Sequence, residues 1–244
     1  MLGWHMRAVR APRTADAATK VDRRGTVTSI EDEGDIRLAV QRLKRERIVA
    51  AAVDQFEQHG FTQASLDAVA EQMGVTKPFI YTQFRSKSDL LGEICSRAMR
   101  ISLEAINDAL ATGTTPREQL ERFARGLMIG VLRSGKHLAI YMREEKNLSP
   151  EDYQLIRDLR REVDEKLVAV LKKGLAQGEF DLGDPKLAAM AIGGIATWVG
   201  VLLGPDGRHS PEGIADQVVP LVLALAGANP RTRVARKRSP GSAS

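Results

Sequence analysis

Between Gly74 and Leu91 the chain reads GVTKPFIYTQFRSKSDLL. Lys77, Phe79, Thr82 and Gln83 fall where a short helix turns them outward, once Val75, Ile80 and Phe84 take its inner side. That mixture suits the edges of base pairs in a major groove. Lys77 can reach guanine acceptors or phosphate, Gln83 can pair with adenine, and Phe79 or the Thr82 methyl can touch thymine methyls. Lys87, Tyr81, Ser65 and the Thr76 amide are candidates for phosphate, contacts that fix register without reading sequence. For Tyr81 a half-core position is an equal alternative at this spacing. Pro78 stands in the first turn, where its missing N–H leaves no intrahelical bond unmade, and completes the expected contact surface.

Such a helix needs a scaffold, and the preceding residues supply one. LAVQRLKRERIVAAAVDQFEQHG predicts a helix over roughly 38–58, with Ile48, Ala52, Val53 and Phe56 inward and Gly60 beyond its end. Ser65 is placed to cap a second helix running to Met73, Gly74 permits a left-handed turn, and Thr76 is placed to cap the third. Leu66, Val69 and the small Ala70 complete the inner side. Two short helices joined at a glycine predict a helix-turn-helix.

The rest of the chain has helical periodicity and no convincing strand, so the expected fold class is all-α. Thr115-Pro116, Ser149-Pro150, Asp184-Pro185 and Ser210-Pro211 each put a capping oxygen before a proline at a first helical position. Four helices are expected to start there. Glu118 would complete a capping box in the first, and Asp152 favours the positive end of the second. Helices over about 185–203 and 211–226 are apolar on most sides and call for several neighbours, which a subunit interface would supply. Pro220 should kink or relax the last of them.

The bulk properties fit a soluble protein with 43% hydrophobic residues and a formal charge of +5. The lone Cys95 excludes an intrachain disulfide and a zinc site built from several thiolates, and a reducing cytoplasm fits best. Residues 1–30 hold no apolar run of signal-peptide length, so export is not expected. LAAMAIGGIATWVGVLLG, residues 187–204, has the length to cross a bilayer. Its glycines, the Asp184-Pro185 start, the Gly204-Pro205 stop and the lack of flanking basic clusters favour a buried soluble helix over a membrane-associated protein. An enzyme is the other competing class. His5, His59, His137 and His209 are isolated from one another, and the recognised hydrolase, zinc, phosphate-loop and dinucleotide patterns do not occur. No catalytic residue, cofactor or metal is expected.

Residues 40–90 resemble the DNA-binding domain of the TetR/AcrR family of bacterial one-component repressors. The matching residues are Gly60-Phe61, Ser65, Ala70 to Gly74-Val75-Thr76, Tyr81-Thr82-Gln83-Phe84 and Lys87. Gln83 stands where the family usually has His or Tyr, and Phe79 where it has a small residue, departures that bear on which operator is read. The remainder resembles the family in layout, with a long linking helix from Ser86/Ser88 and a bundle whose last two helices form a dimer's four-helix interface. Residues 1–36, without helical period, and the basic stretch 229–244 are expected to be a flexible arm and a disordered tail, while the resemblance implies a DNA-binding domain at 37–87 and a ligand-binding and dimerisation domain at 88–228. Ile192, Ile195, Val199, Val219 and Leu223 are the expected interface residues.

The same resemblance implies a cytoplasmic homodimeric repressor on an inverted-repeat operator in double-stranded DNA, released by a small-molecule inducer. Phe123, Leu127, Met128, Tyr141, Met142 and Trp198 are candidates for an apolar pocket, with ordinary core as the alternative for each. Arg143, Glu144, Glu145 and Lys146, followed by Arg157, Arg160 and Arg161, resemble the basic residues of acyl-CoA-responsive members. A charged run of this kind on a long helix is more often a solvated face paired at i,i+4.

Overall fold

The computed structural model describes residues 19–21, 27–203 and 210–228, with side chains from Gly34 onward. The expected basic tail at 229–244, the Gly204-Pro205 stop, His209 and the first eighteen positions, His5 among them, lie outside the described residues. Contacts divide the chain into two units, Met1–Arg47 and Ile48–Ser244.

The first unit departs from the expected unpatterned arm. Strands β1 (Thr19–Val21) and β2 (Val27–Ser29) pair antiparallel, with Lys20 opposite Thr28. Helix α1 (Ile30–Gln63) then begins eight residues earlier than its apolar period predicts. Ile36, Leu38, Val40 and Leu43 are exposed on this leading stretch.

In the second unit α1 runs to Gly60, whose φ of 71° and ψ of 165° break the helix at the expected glycine. Helices α2 (Leu66–Met73), α3 (Lys77–Tyr81) and α4 (Lys87–Thr112) follow. The proline-marked starts all materialise, giving α5 (Pro116–Arg133), α7 (Pro150–Ala176), α8 (Pro185–Leu203) and α9 (Pro211–Leu225). Cap oxygens of Thr115, Ser149 and Ser210 accept the N–H three residues on, at 3.1–3.2 Å. The Glu118 carboxylate reaches back to the cap as expected and one position beyond it, accepting from the Thr114 N–H at 3.0 Å and the Thr114 hydroxyl at 2.6 Å, with the Thr115 backbone also holding its charge. Between α5 and α7 lies α6 (Gly135–Glu144), closed by a 3-10 turn at Glu145–Asn147.

Helix α5 contacts α4, α7, α8 and α9, so it forms the middle of the bundle. Phe123, Leu127 and Met128 of α5 are buried there. Cys95 is buried on α4, where loss of hydration pushes its thiol up to about 12. Helix α8 approaches α5 and α6 at Gly200, where any side chain would collide with Val131 and Leu138.

The two apolar helices correct the expected interface. Ile192, Val219 and Leu223 are buried inside the protomer, and Ile195 and Val199 are partly buried against the same core. Leu187, Met190, Trp198 and Leu202 take the opposite stripe of α8, with Trp198 59% exposed and Leu202 68%. On α9 the outward large residues are Leu221 and Leu225. A helix apolar all round carries no phase in its sequence, and only packing decides which stripe faces the core. Helix α8 is also long and apolar enough to cross a membrane by composition and length alone.

Candidate nucleic-acid interface

The α2–α3 pair is built on a dry underside. Ile48, Ala52, Val53 and Phe56 of α1, Leu66, Val69 and Ala70 of α2, and Ile80 and Phe84 are all buried. The Ser65 side chain accepts from the Ala68 N–H at 3.1 Å and fixes the start of α2. Its end is closed by Gly74 at φ 64° and ψ 34°, with the Gly74 N–H on the Glu71 carbonyl and the Val75 N–H on the Ala70 carbonyl, each at 3.0 Å. Those paired bonds define a Schellman turn, and the left-handed residue at its centre is the reason for glycine there. Thr76 occupies the cap position of α3, but its side chain makes no capping bond.

With that underside fixed, Thr76, Lys77, Pro78, Tyr81 and Thr82 are exposed. Tyr81, with two open readings in the sequence, is 47% exposed and stands outside the core. Phe79 and Gln83 are only half-exposed, and Phe79 packs in part against the core. Helix α3 is a single short turn and a half, so Thr82 is its C-terminal cap. The Thr82 hydroxyl donates to the Phe79 carbonyl at 2.7 Å and accepts from the Gln83 amide at 3.2 Å.

A surface groove of about 330 Å³ runs beside α3, lined among others by Ser65, Asp67, Lys77, Tyr81, Arg85 and Ser86. The Lys77 ammonium lies 2.8 Å from one Asp67 oxygen and 2.9 Å from the other, a pair that raises the lysine pKa. Lys87 is placed differently from its expected role as a phosphate contact. Its ammonium donates to the carbonyls of Phe61, Thr62 and Ala64 at 2.7, 3.2 and 2.9 Å, so its three donors are engaged within the protein. Arg85, absent from the sequence reading, presents an exposed side chain at the same groove.

A second set of contacts joins this head to α6. Glu144 is buried, and its carboxylate accepts from the Phe61 N–H at 3.3 Å, the Arg143 guanidinium at 3.0 Å and the Asn147 amide at 2.8 Å. Burial alone would raise its pKa, but these donors hold it below the ordinary carboxylate range. Arg143 also donates to the Phe56 carbonyl, and Lys136 pairs with Asp54 at 3.1 Å and Glu57 at 2.6 Å. Within the charged run 143–146, then, Arg143 and Glu144 hold α6 to the end of α1, a role neither sequence reading contained.

Of the six pocket candidates, Phe123, Leu127, Met128 and Tyr141 are buried, while Met142 and Trp198 face outward. The Tyr141 hydroxyl donates to Glu145 at 2.7 Å and accepts from Arg160 at 3.0 Å, and burial with the Glu145 bond pushes its pKa up to about 12. Arg157 lies over the Tyr153 ring and Arg160 over that of Tyr141, each 5.9 Å from the centroid. Among the described residues no cluster of His, Cys, Asp and Glu could hold a metal ion.

Comparison with known proteins agrees with this layout. Residues 48–94 match the family described as bacterial regulatory proteins, tetR family, and residues 113–226 match a tetracyclin repressor-like C-terminal domain. The chain is 28% identical to the fatty acid metabolism regulator protein of Bacillus subtilis over 166 residues, covering 65% of this chain and 85% of that one. Among solved structures, a TetR/AcrR-family regulator from Thermobifida fusca is 30% identical with a TM-score of 0.59, covering 73% of this chain and 96% of that one. AibR, solved with isovaleryl coenzyme A and operator DNA, shares the fold at 24% identity and a TM-score of 0.62, over 76% of this chain and 99% of its own.

Proposed function

Because the chain belongs to the TetR/AcrR family of bacterial transcriptional regulators, and is thus a DNA-binding protein, we propose that it is a ligand-released repressor acting as a homodimer on an inverted-repeat operator. The observation that carries this reading is the α2–α3 head, a buried apolar underside with Thr76, Lys77, Tyr81 and Thr82 exposed above it. Helices of this kind enter the major groove, and two symmetric heads read two half-sites. Thr76, Lys77, Pro78, Phe79, Tyr81, Thr82 and Gln83 face the duplex in this reading, with Ser65 and Arg85 at phosphates.

The outward stripe of Leu187, Met190, Trp198 and Leu202 on α8, and the exposed Leu221 and Leu225 of α9, support the dimer, since exposed apolar surface of this kind marks an association site. It replaces Ile192, Val219 and Leu223 in that role. A repressor working on chromosomal DNA acts in the cytoplasm.

The inducer is a small hydrophobic or acyl-CoA-like molecule. Support comes from the apolar α5 side chains Phe123, Leu127 and Met128, from Arg157 and Arg160 beside two tyrosines, and from the fold that in AibR accompanies isovaleryl coenzyme A. The Glu144–Phe61 and Arg143–Phe56 bonds give a ligand among α5–α7 a route to the head. Such a ligand releases DNA only by preferring the conformation that cannot bind it.

The test is selection of genomic fragments by the purified protein, followed by footprinting with and without acyl-CoA thioesters of graded chain length. Protected inverted repeats that are released by a thioester support the reading. Protection of unrelated sequences, or of single half-sites by a monomer, contradicts it.

A further inference from the structure

The groove beside α3 faces the same side as the proposed reading surface, yet one of the residues lining it is an acid. Asp67 lies in the first turn of α2, and both of its oxygens hold the Lys77 ammonium, at 2.8 and 2.9 Å. The pair stands in solvent, with side chains 62% and 52% exposed, so it is open to exchange with an arriving anion. The other ionisable groups lining the groove are Tyr81, Arg85 and Lys87, and Lys87 is engaged by its three carbonyls.

From this geometry we infer that Asp67 is a specificity-determining residue, which holds Lys77 on random duplex and releases it only to correctly placed acceptors on an operator base edge. The inference rests on the DNA-binding reading of α3 and adds to it a cost for wrong sequences. An unrestrained lysine would settle on any phosphate and add equally to binding everywhere. With a carboxylate already on Lys77, a backbone phosphate must displace a partner of like charge, and the exchange gains little. A guanine offers two acceptors in the major groove at a fixed place, with no charge for Asp67 to repel. Discrimination then comes from a repulsive element as well as an attractive one.

The experiment compares the full-length protein with Asp67→Asn, Asp67→Ser, Lys77→Gln and the Asp67→Asn/Lys77→Gln double variant, each checked by thermal unfolding. Binding is measured on the selected operator and on a random-sequence duplex across a salt series. Asp67→Asn and Asp67→Ser are expected to tighten random-duplex binding about threefold and steepen its salt slope by about one unit, as one more phosphate is neutralised. Operator affinity should rise too, by the smaller cost of freeing Lys77 from an exposed pair, so the specificity ratio falls by less than that factor. The gain should vanish in the Lys77→Gln background. Unchanged random-duplex binding in both Asp67 variants overturns the inference alone, and so does an equal gain without Lys77. A parent protein with no operator preference would instead sink the regulator reading on which the inference rests.

Discussion

The Lys87 ammonium donates to the Phe61 carbonyl at 2.7 Å and lies 4.5 Å from the centre of the Phe61 ring. One side chain thus closes the strand of chain between α1 and α2 from the first residue of α4. Phe61 in turn meets Phe56 edge-on, with centroids 5.6 Å apart. Lys87 is therefore a strut of the head. Lys87→Met keeps the stem and removes the donors, leaving three carbonyls to find water. Its expected cost is about 1–3 kcal/mol, read as a lower denaturation midpoint. Base preference on DNA should be unchanged, and a variant of full stability that loses DNA affinity would return Lys87 to the phosphate set.

In the proposed DNA complex Arg85 takes over the role of register-setting cation. Arg85→Ala should weaken operator and random duplex alike and lower the salt slope by about one unit, as loss of one phosphate contact requires. A change of base preference at constant slope would place Arg85 among the reading residues.

In the proposed dimer the outward stripe of α8 separates association from folding. Trp198→Glu and Leu202→Glu should sediment as folded monomers, because both side chains stand outside the protomer. Leu223→Glu buries an unpaired charge and should cost about 3 kcal/mol or more, seen as loss of the folded state itself. A folded dimer in all three variants would move the interface elsewhere.

Acid should weaken the protein in a definite window. His137 has its pKa pushed down to about 4, first by burial and then by Arg97, and its buried Nδ1 meets no hydrogen-bond partner among the described residues. In the unfolded chain a histidine titrates near ~6.5, so between the two values the unfolded state binds more protons. The contribution is complete above the unfolded value and is lost as pH falls, at up to about 1.4 kcal/mol per pH unit. His137→Phe should flatten that part of the profile, measured by urea unfolding at pH 4.5 to 7.5. The depressed Glu144 carboxylate has the same sign further down, with stability lost as pH drops through its lowered pKa.

What the sequence made legible was local chemistry. Thr115, Ser149 and Ser210 announce their helices because cap, proline and first turn lie within four positions of one another. Gly74 likewise marks its turn through its own backbone. What stayed hidden depends on partners distant in the chain. The acceptors of Lys87 lie more than twenty positions upstream, and those joining Glu144 to Phe61 are farther still. In α8 nearly every position is apolar, so Ile192 and Trp198 look equivalent until packing sends one inward and the other outward.

Cys95 has a final bearing on signalling. A thiol that titrates only near 12 is almost entirely protonated at neutral pH, and at 1% exposure it offers peroxide or an electrophile no approach. The folded protein is therefore blind to oxidants through its single sulfhydryl. A cysteine engineered onto the outer edge of α3 would become the one site a maleimide dye can find.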